Sequence, residues 1–285
     1  MREPPPHIIE SLKRFLDEDV RSGDLTTKAM GELAAPAVAT IFSRSNTILA
    51  GIEEVVALAE IAGVKHEVLA FEGNWIEPGT AVMRLNGTAR SLLAIERVCL
   101  NIIQRMSGIA SKTYNLVQIA KKVNASVIVA ATRKTTPGFR YFEKRAVQIG
   151  GGDPHRYALD DMVLIKNNHI ALVGTVGQAV RMAKESVSYT KKVSCEVRSL
   201  AEALEAVSAG ADIILLDNLG PKDIEEIHAA LVDSGTRDRV LLEASGGIDE
   251  QTIKEYASSG VDVISCGALT HSYDSSNFNM SISLR

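Results

Sequence analysis

A chain of 285 residues that is 46% hydrophobic and 23% charged holds enough apolar mass for a large α/β domain, alone or beside a smaller one, which excludes a disordered chain. A formal net charge of −4 excludes the broad basic face of a nucleic-acid binder, and three scattered cysteines, Cys99, Cys195 and Cys266, leave no disulfide framework or zinc site. The opening MREPPPHIIESLKRFLDEDVR is polar and proline-rich, and no apolar run reaches membrane-spanning length, so a cytoplasmic, soluble protein with no membrane partner is expected.

In chain order, PAVATIFSRSNTILAG and HEVLAFEGNWIEPGTAVMRLNG carry alternating or short apolar runs broken by Gly, Pro and Asn. IEEVVALAEIAG and the long SLLAIERVCLNIIQRMSGIASKTYNLVQIAKKV have helical spacing. The first hundred or so residues therefore read as an α/β sandwich, with a boundary inside the long helical segment, near residues 105 to 115.

Beyond Val127 the pattern changes. VIVAAT, DMVLIK, KVSCEV, ADIILLDN, VLLEAS and VDVISCG are apolar on both faces, as buried parallel strands are, and AVQIG near residue 146 is counted as a further strand. Between the last four lie SLAEALEAVSAG, GPKDIEEIHAALVDSG and DEQTIKEYASSG, helical in period and ending in glycine. About seven strands alternating with helices favour an open α/β barrel of the TIM type over a doubly wound sheet, and no G-x-G-x-x-G follows a strand.

In such a barrel the carboxyl ends of the strands face the ligand. That rule collects Thr132, Arg133, Lys134, Lys166, Glu196, Asp217, Ser245, Gly246, Gly247 and Gly267 at one mouth. Between Ala131 and Ile170, Arg133, Lys134, Arg140, Lys144, Arg145, Arg156 and Lys166 outnumber Glu143, Asp153, Asp160 and Asp161, so the basicity is local and suits one small, highly anionic ligand. Lys166 stands out because a lysine closing an apolar strand is rarely buried without a partner. The bland alternatives are a solvated Arg133-Lys134 loop, a structural ion network around Glu196 and Asp217, and glycines that only permit tight turns. His155 and Arg156 follow the triple glycine Gly150-Gly151-Gly152, His169 reads equally as a cap, and His271 follows the last glycine turn.

Taken together, ATRKTTPGFR, EKRAV, GGGDPHR, LDDMVLIKNNHI, ILLDN, EASGGI and SCGALTHS, with LDEDVRSGDLTT and ERVCLNIIQRMSGIAS before them, resemble the quinolinate phosphoribosyltransferases, the decarboxylating nicotinate-nucleotide pyrophosphorylase family of NAD synthesis. The resemblance covers nearly the whole chain. It implies an N-terminal α/β sandwich over 1–110, a seven-stranded open α/β barrel of the type II phosphoribosyltransferase kind over 111–273, and a tail, 274–285, packing back on the first domain. It implies quinolinate and phosphoribosyl pyrophosphate as substrates, Mg2+ as cofactor, and a homodimer or a hexamer built of dimers.

By motif match, Arg133, Arg156 and Lys166 would hold the two carboxylates of quinolinate, with His155 and Lys134 alongside and Arg97 reaching in from the partner subunit. Glu196 and Asp217 would hold ribose hydroxyls and magnesium. Thr132 lines the mouth, and Ser245, Gly246, Gly247, Gly267 and His271 would bind phosphate. Lys134, Lys166, Glu196 and Asp217 carry the catalytic assignment. Three positions depart from the family's pattern: Pro154 where Asn is usual, Ala158 where Gly is common, and Ser194 where a further acid is frequent. The rivals are a related phosphoribosyltransferase for another aromatic acid, such as the molybdenum-operon relatives or a nicotinate enzyme, an aldolase-like barrel with a Schiff base at Lys166, and a non-catalytic sensor of a phosphorylated metabolite.

Overall fold

The computed structural model describes residues 4–31 and 33–285; the first three residues of the predicted N-terminal domain and Glu32 lie outside the described residues. Two compact units form. One contains the chain up to Lys112, the segment Thr136–Gly151 and the C-terminal Tyr273–Arg285, and the other contains Thr113–Thr135 and Gly152–Ser272.

The first unit is built on a four-stranded antiparallel sheet. Pro36–Ser43 buries Ala37, Ala39, Ile41 and Ser43, the period-two pattern of a strand with one face on a core. Ala81–Thr88 lies on one side of it and the C-terminal Phe278–Leu284 on the other, with Ala37 opposite Leu284 and Ser43 opposite Phe278. Lys65–Val68 completes the sheet beside Ala81–Thr88.

The helix Ala89–Lys121 runs 33 residues and carries Gly108 in its interior. Glycine in a free helix costs about 1 kcal/mol relative to alanine, so something must require it here. The Asp274 carbonyl of the C-terminal segment crosses so closely that a Cβ on Gly108 would overlap it. Gly108→Ala is therefore expected to destabilise the protein by about 1–3 kcal/mol, against the helix-propensity trend. A melting temperature equal to or above that of the wild type would contradict this packing account.

Thr136–Gly151 corrects two sequence expectations. AVQIG is not a strand; it ends the helix Arg140–Ile149, whose buried face includes Phe142, Ala146 and Val147. Five residues are too few for periodicity to separate a strand from half a helix. The segment also groups with the first unit, although in sequence it lies within the stretch 111–273 expected to form the barrel. Long-range side-chain packing explains this: the rings of Phe139 and Phe142 lie 5.7 and 5.6 Å from that of Phe15. Arg105 pairs with Glu143 and stacks on Phe139 and Tyr273, while Arg145 reaches Glu53, Glu54 and Glu72.

The second unit is a parallel sheet of six strands, crossed in the order Ile128–Ala130, Val263–Ser265, Leu241–Ser245, Ile213–Asp217, Val193–Val197, Val163–Ile165. This is chain order with the first strand moved beside the last, the winding of a barrel left open between Ile128–Ala130 and Val163–Ile165. A doubly wound sheet would instead reverse direction from a central first strand. With AVQIG in a helix, only a single bridge between Ala130 and Asp153 adds to these six strands among the described residues. Pro154 follows at once and has no N–H to continue the ladder.

Among the described residues no helix is long and apolar enough to cross a membrane. Cys99, Cys195 and Cys266 are buried; burial pushes the Cys99 and Cys195 thiols up to about 12, so neither presents a thiolate nucleophile at neutral pH.

Candidate functional site

Strand register brings the chemistry to one end of the second unit. Asp217 stands opposite Ser245, Ser245 opposite Ser265, and Ser265 opposite Ala130, so these strands end level and release Asp217, Ser245 and Thr132 onto the same rim. One layer deeper, Glu196 and Glu243 are both level with Leu215, which aims the two carboxylates to the same face. Both are buried.

A cationic cluster forms around Arg133 and Arg156. Burial, and then the charge of Arg133, hold the Arg156 guanidinium below its usual pKa, while Glu243 and Asp161 work in the opposite direction. The Arg133 Nε is buried without a hydrogen-bond partner. His155 joins from the side: its Nε2 lies 3.3 Å from a Glu243 carboxylate oxygen. Its backbone is left-handed, φ +54°, a strained choice for a non-glycine residue, held by the His155 N–H donating to Asp153 Oδ1 at 2.6 Å. Arg156 is anchored by donating from Nη1 to the Met162 carbonyl at 3.2 Å.

A second cluster is acidic. Arg198 Nη2 lies 3.5 Å from Glu196 Oε1 and 3.4 Å from Asp217 Oδ2, so two carboxylates from adjacent strands converge on one guanidinium nitrogen. The position of Ser194, buried two residues before Glu196, contributes no third acid, and its Oγ has no partner.

A third group is shaped for close approach. A Cβ on Gly267 would come within 2.9 Å of Lys134 Cδ and 3.0 Å of His271 Nε2, so glycine lets these two side chains meet over the turn. The loop bearing Lys134 is tied down by Thr132, whose Oγ1 accepts from the Lys134 N–H at 3.1 Å, and by Thr270, which donates to the Lys134 carbonyl at 2.8 Å. Gly246, at φ +114°, fits against Asn218 where any Cβ would overlap the Asn218 amide, and the side of Gly247 that a Cβ would take is open space.

One expectation turns out differently. Lys166 is exposed, so the burial argument that singled it out does not hold; it closes the strand Val163–Ile165 and precedes the helix Asn167–Val173. His169 is the cap of that helix, its Nδ1 accepting from the Lys166 N–H at 2.9 Å. Arg97 lies in the first unit, exposed on the helix Ala89–Lys121. Glu243, Arg198 and Asn218 were not picked out from the sequence. Glu243 stands inside EASGG and could have been found by counting inward positions back from Ser245. Arg198, directly after Glu196-Val197, carried no such signal.

A cavity of about 530 Å³ also opens in the first unit, beside Phe15, Arg105, Phe139 and Tyr273. Its one cation, Arg105, is already neutralised by Glu143, which leaves little charge for an anion. The strand ends of the second unit are the better site.

Residues 24–107 match the quinolinate phosphoribosyl transferase N-terminal domain and residues 109–281 its C-terminal domain. The chain belongs to the quinolinate phosphoribosyl transferase family. Within the family, it is 44% identical over 265 residues to the probable nicotinate-nucleotide pyrophosphorylase (carboxylating) of Methanothermobacter thermautotrophicus, covering 93% of this chain and 95% of that one. It is 37% identical over 280 residues to the human nicotinate-nucleotide pyrophosphorylase (carboxylating), covering 98% and 93%. The crystal structure of NadC from Streptococcus pyogenes superposes over 100% of both chains, with a TM-score of 0.91 and 37% identity.

Proposed function

We propose that this chain transfers the phosphoribosyl group of phosphoribosyl pyrophosphate to quinolinate with loss of carbon dioxide, yielding nicotinate mononucleotide and pyrophosphate for NAD synthesis. The observation that carries the reading is the Arg133 charge set against Arg156, which with burial disfavours the charged Arg156 guanidinium, beside a buried Arg133 Nε that lacks an acceptor. Like charges held together in a partly dewatered cup are stabilised by a bound dianion. Quinolinate supplies two carboxylates on one planar ring, which a pair of guanidinium forks can clamp in bidentate fashion.

In this reading Arg133 and Arg156 hold the acid groups, with Lys166, Lys134 and His155 at their margin. Glu243 orients the His155 ring. Ser245, Gly246, Gly247, Gly267 and His271, with Thr132 bracing the Lys134 loop, receive the phosphate of the sugar. Glu196 and Asp217 hold the ribose hydroxyls. They also suit Mg2+, a hard cation that takes one or two carboxylates and fills its shell with water and substrate oxygens; among the described residues no third acid, histidine or cysteine joins them. When bound, Mg2+ would neutralise the diphosphate leaving group.

The pyridine nitrogen displaces diphosphate at the ribose C1. The protein's contribution is to align the ring against the sugar, exclude water and place fixed charge around the departing group; no protein nucleophile is needed. After the N–C bond forms, the positive ring nitrogen stabilises the carbanion left on the adjacent ring carbon when its carboxylate departs as carbon dioxide, and a proton from solvent then fills that position to give nicotinate mononucleotide. The clamp on the remaining carboxylate keeps the ring in place. Incubating the protein with phosphoribosyl pyrophosphate, Mg2+ and either quinolinate or nicotinate tests this directly. Nicotinate mononucleotide and carbon dioxide should form from quinolinate; turnover of nicotinate alone would overturn the assignment.

The protein works in this reading as a cytoplasmic homodimer, or a higher assembly of dimers, in which Arg97 of the partner subunit adds a cation to the quinolinate pocket. Its exposure on the first unit supports a role outside its own chain. Mixing inactive Arg97→Ala and Arg133→Ala chains should restore roughly a quarter of wild-type activity, because random pairing leaves one intact site in half of the dimers. No recovery on mixing would remove the shared site.

A further inference from the structure

We infer that Arg198 is a stand-in cation: it holds Glu196 and Asp217 together and must release both before a divalent cation can take them. The inference rests on the acid pair serving the metal-bearing sugar diphosphate, as proposed above, and it assigns a role to a residue outside that machinery.

Three observations support it. A single nitrogen, Nη2, serves both carboxylates, at 3.5 Å to Glu196 and 3.4 Å to Asp217. These are long contacts, and the Arg198 side chain is 54% exposed, so each is weak and water can replace it. The Arg198 backbone, by contrast, is fixed. Its N–H donates to Glu202 Oε2 at 2.7 Å, and the Glu202 N–H donates to Ser199 Oγ at 3.2 Å, which locks the turn between the strand Val193–Val197 and the helix Leu200–Ser208. A pinned backbone with a half-exposed arm gives the guanidinium a place to return to and freedom to leave.

Without a counter-cation the two carboxylates would repel one another, and Glu196 is 7% exposed, too buried for water to screen it well. Arg198 supplies one positive charge there, loosely. A divalent ion supplies two, at oxygen distances near 2.1 Å, and the same carboxylates cannot satisfy both at once. The structure thus sets Arg198 in competition with the metal. Arg198 is a positioning residue, not a catalytic one: it keeps the acid pair assembled between turnovers and lowers its affinity for free metal.

The test is a titration of the substrate-free protein with Mn2+, following free Mn2+ by electron paramagnetic resonance. Arg198→Gln should bind Mn2+ about tenfold more tightly than wild type, the equivalent of about 1.4 kcal/mol. Arg198→Lys should stay near wild type. Lys254→Gln, which removes an exposed charge elsewhere on the same unit, should change binding by less than about twofold. The gain should vanish in Glu196→Gln/Arg198→Gln, where one of the two acids is gone. Binding in Arg198→Gln that equals or falls below wild type overturns the inference, since a purely structural arginine would loosen the pair and weaken the metal. Formation of nicotinate mononucleotide by the wild-type protein is measured in parallel. Activity with no tightening in Arg198→Gln sinks the role of Arg198 alone, whereas no turnover of quinolinate sinks the functional reading, and the Mn2+ titration still decides Arg198.

Discussion

Arg133→Ala is expected to lower kcat/KM for quinolinate by about thirty- to several-thousand-fold, the equivalent of about 2–5 kcal/mol for removing one partner of a buried charge pair. The buried, unpartnered Arg133 Nε beside the Arg156 guanidinium is the reason for so large an effect. A lysine should recover only part of the loss, because a single ammonium cannot grip a planar carboxylate at two points. The KM for phosphoribosyl pyrophosphate should change little, as its contacts are assigned to other residues. The double variant Arg133→Ala/Arg156→Ala should fall short of the sum of the two single losses, since both guanidinium groups act on one dianion in one site. Steady-state kinetics at saturating co-substrate give the answer; a loss below about threefold for Arg133→Ala would mean the quinolinate clamp lies elsewhere.

The second large effect is on stability and comes from the first unit. Arg145 meets three carboxylates, Glu53, Glu54 and Glu72. Burial works against its charge, but the three acids more than offset this and hold the guanidinium above its ordinary pKa. Three acids on one cation leave an excess of negative charge. Glu54 carries it, fully buried and with one carboxylate oxygen unpartnered; burial lifts its pKa from 4.5 to about 7. Glu72 is better served, since its Oε1 accepts from the Gly51 and Ile52 N–H groups at 2.6 and 2.7 Å.

A raised carboxyl pKa means that the folded state keeps a proton which the unfolded chain has already released. Stability should therefore be highest below about pH 4.5 as far as this group is concerned, fall as pH rises toward about 7, and level off above it. The total is on the order of 3 kcal/mol. Glu54→Gln keeps an acceptor for Arg145 and cannot ionise. It should flatten this part of the profile and leave the variant more stable than wild type at pH 8, with the difference shrinking toward pH 5. Calorimetric melting across that range is the measurement, and a variant less stable than wild type at pH 8 would show that the Glu54 charge supports the fold.

Local pattern alone determined a good deal here. Both-face apolar runs placed six strands of the second unit, because a strand covered on both sides excludes polar residues wherever it lies in the chain. Strand ends then named Arg133, Glu196, Asp217, Ser245 and Gly267, since in a parallel barrel the position within a strand already says which end a residue faces. Resemblance added Arg97, which no periodicity marks.

What the sequence did not contain was the pairing of distant side chains. His155 meets Glu243 across 88 positions, and Arg145 meets Glu53 across 92. Such pairs are fixed only when the chain closes on itself, and they tie Thr136–Gly151, with its helix Arg140–Ile149, into the first unit. Hydrophobic period is a local property written in every few residues, whereas the partner of a charge is set by which surfaces pack together. The scaffold and its rim were therefore legible in advance, and the counter-charges that tune the rim were settled by tertiary structure.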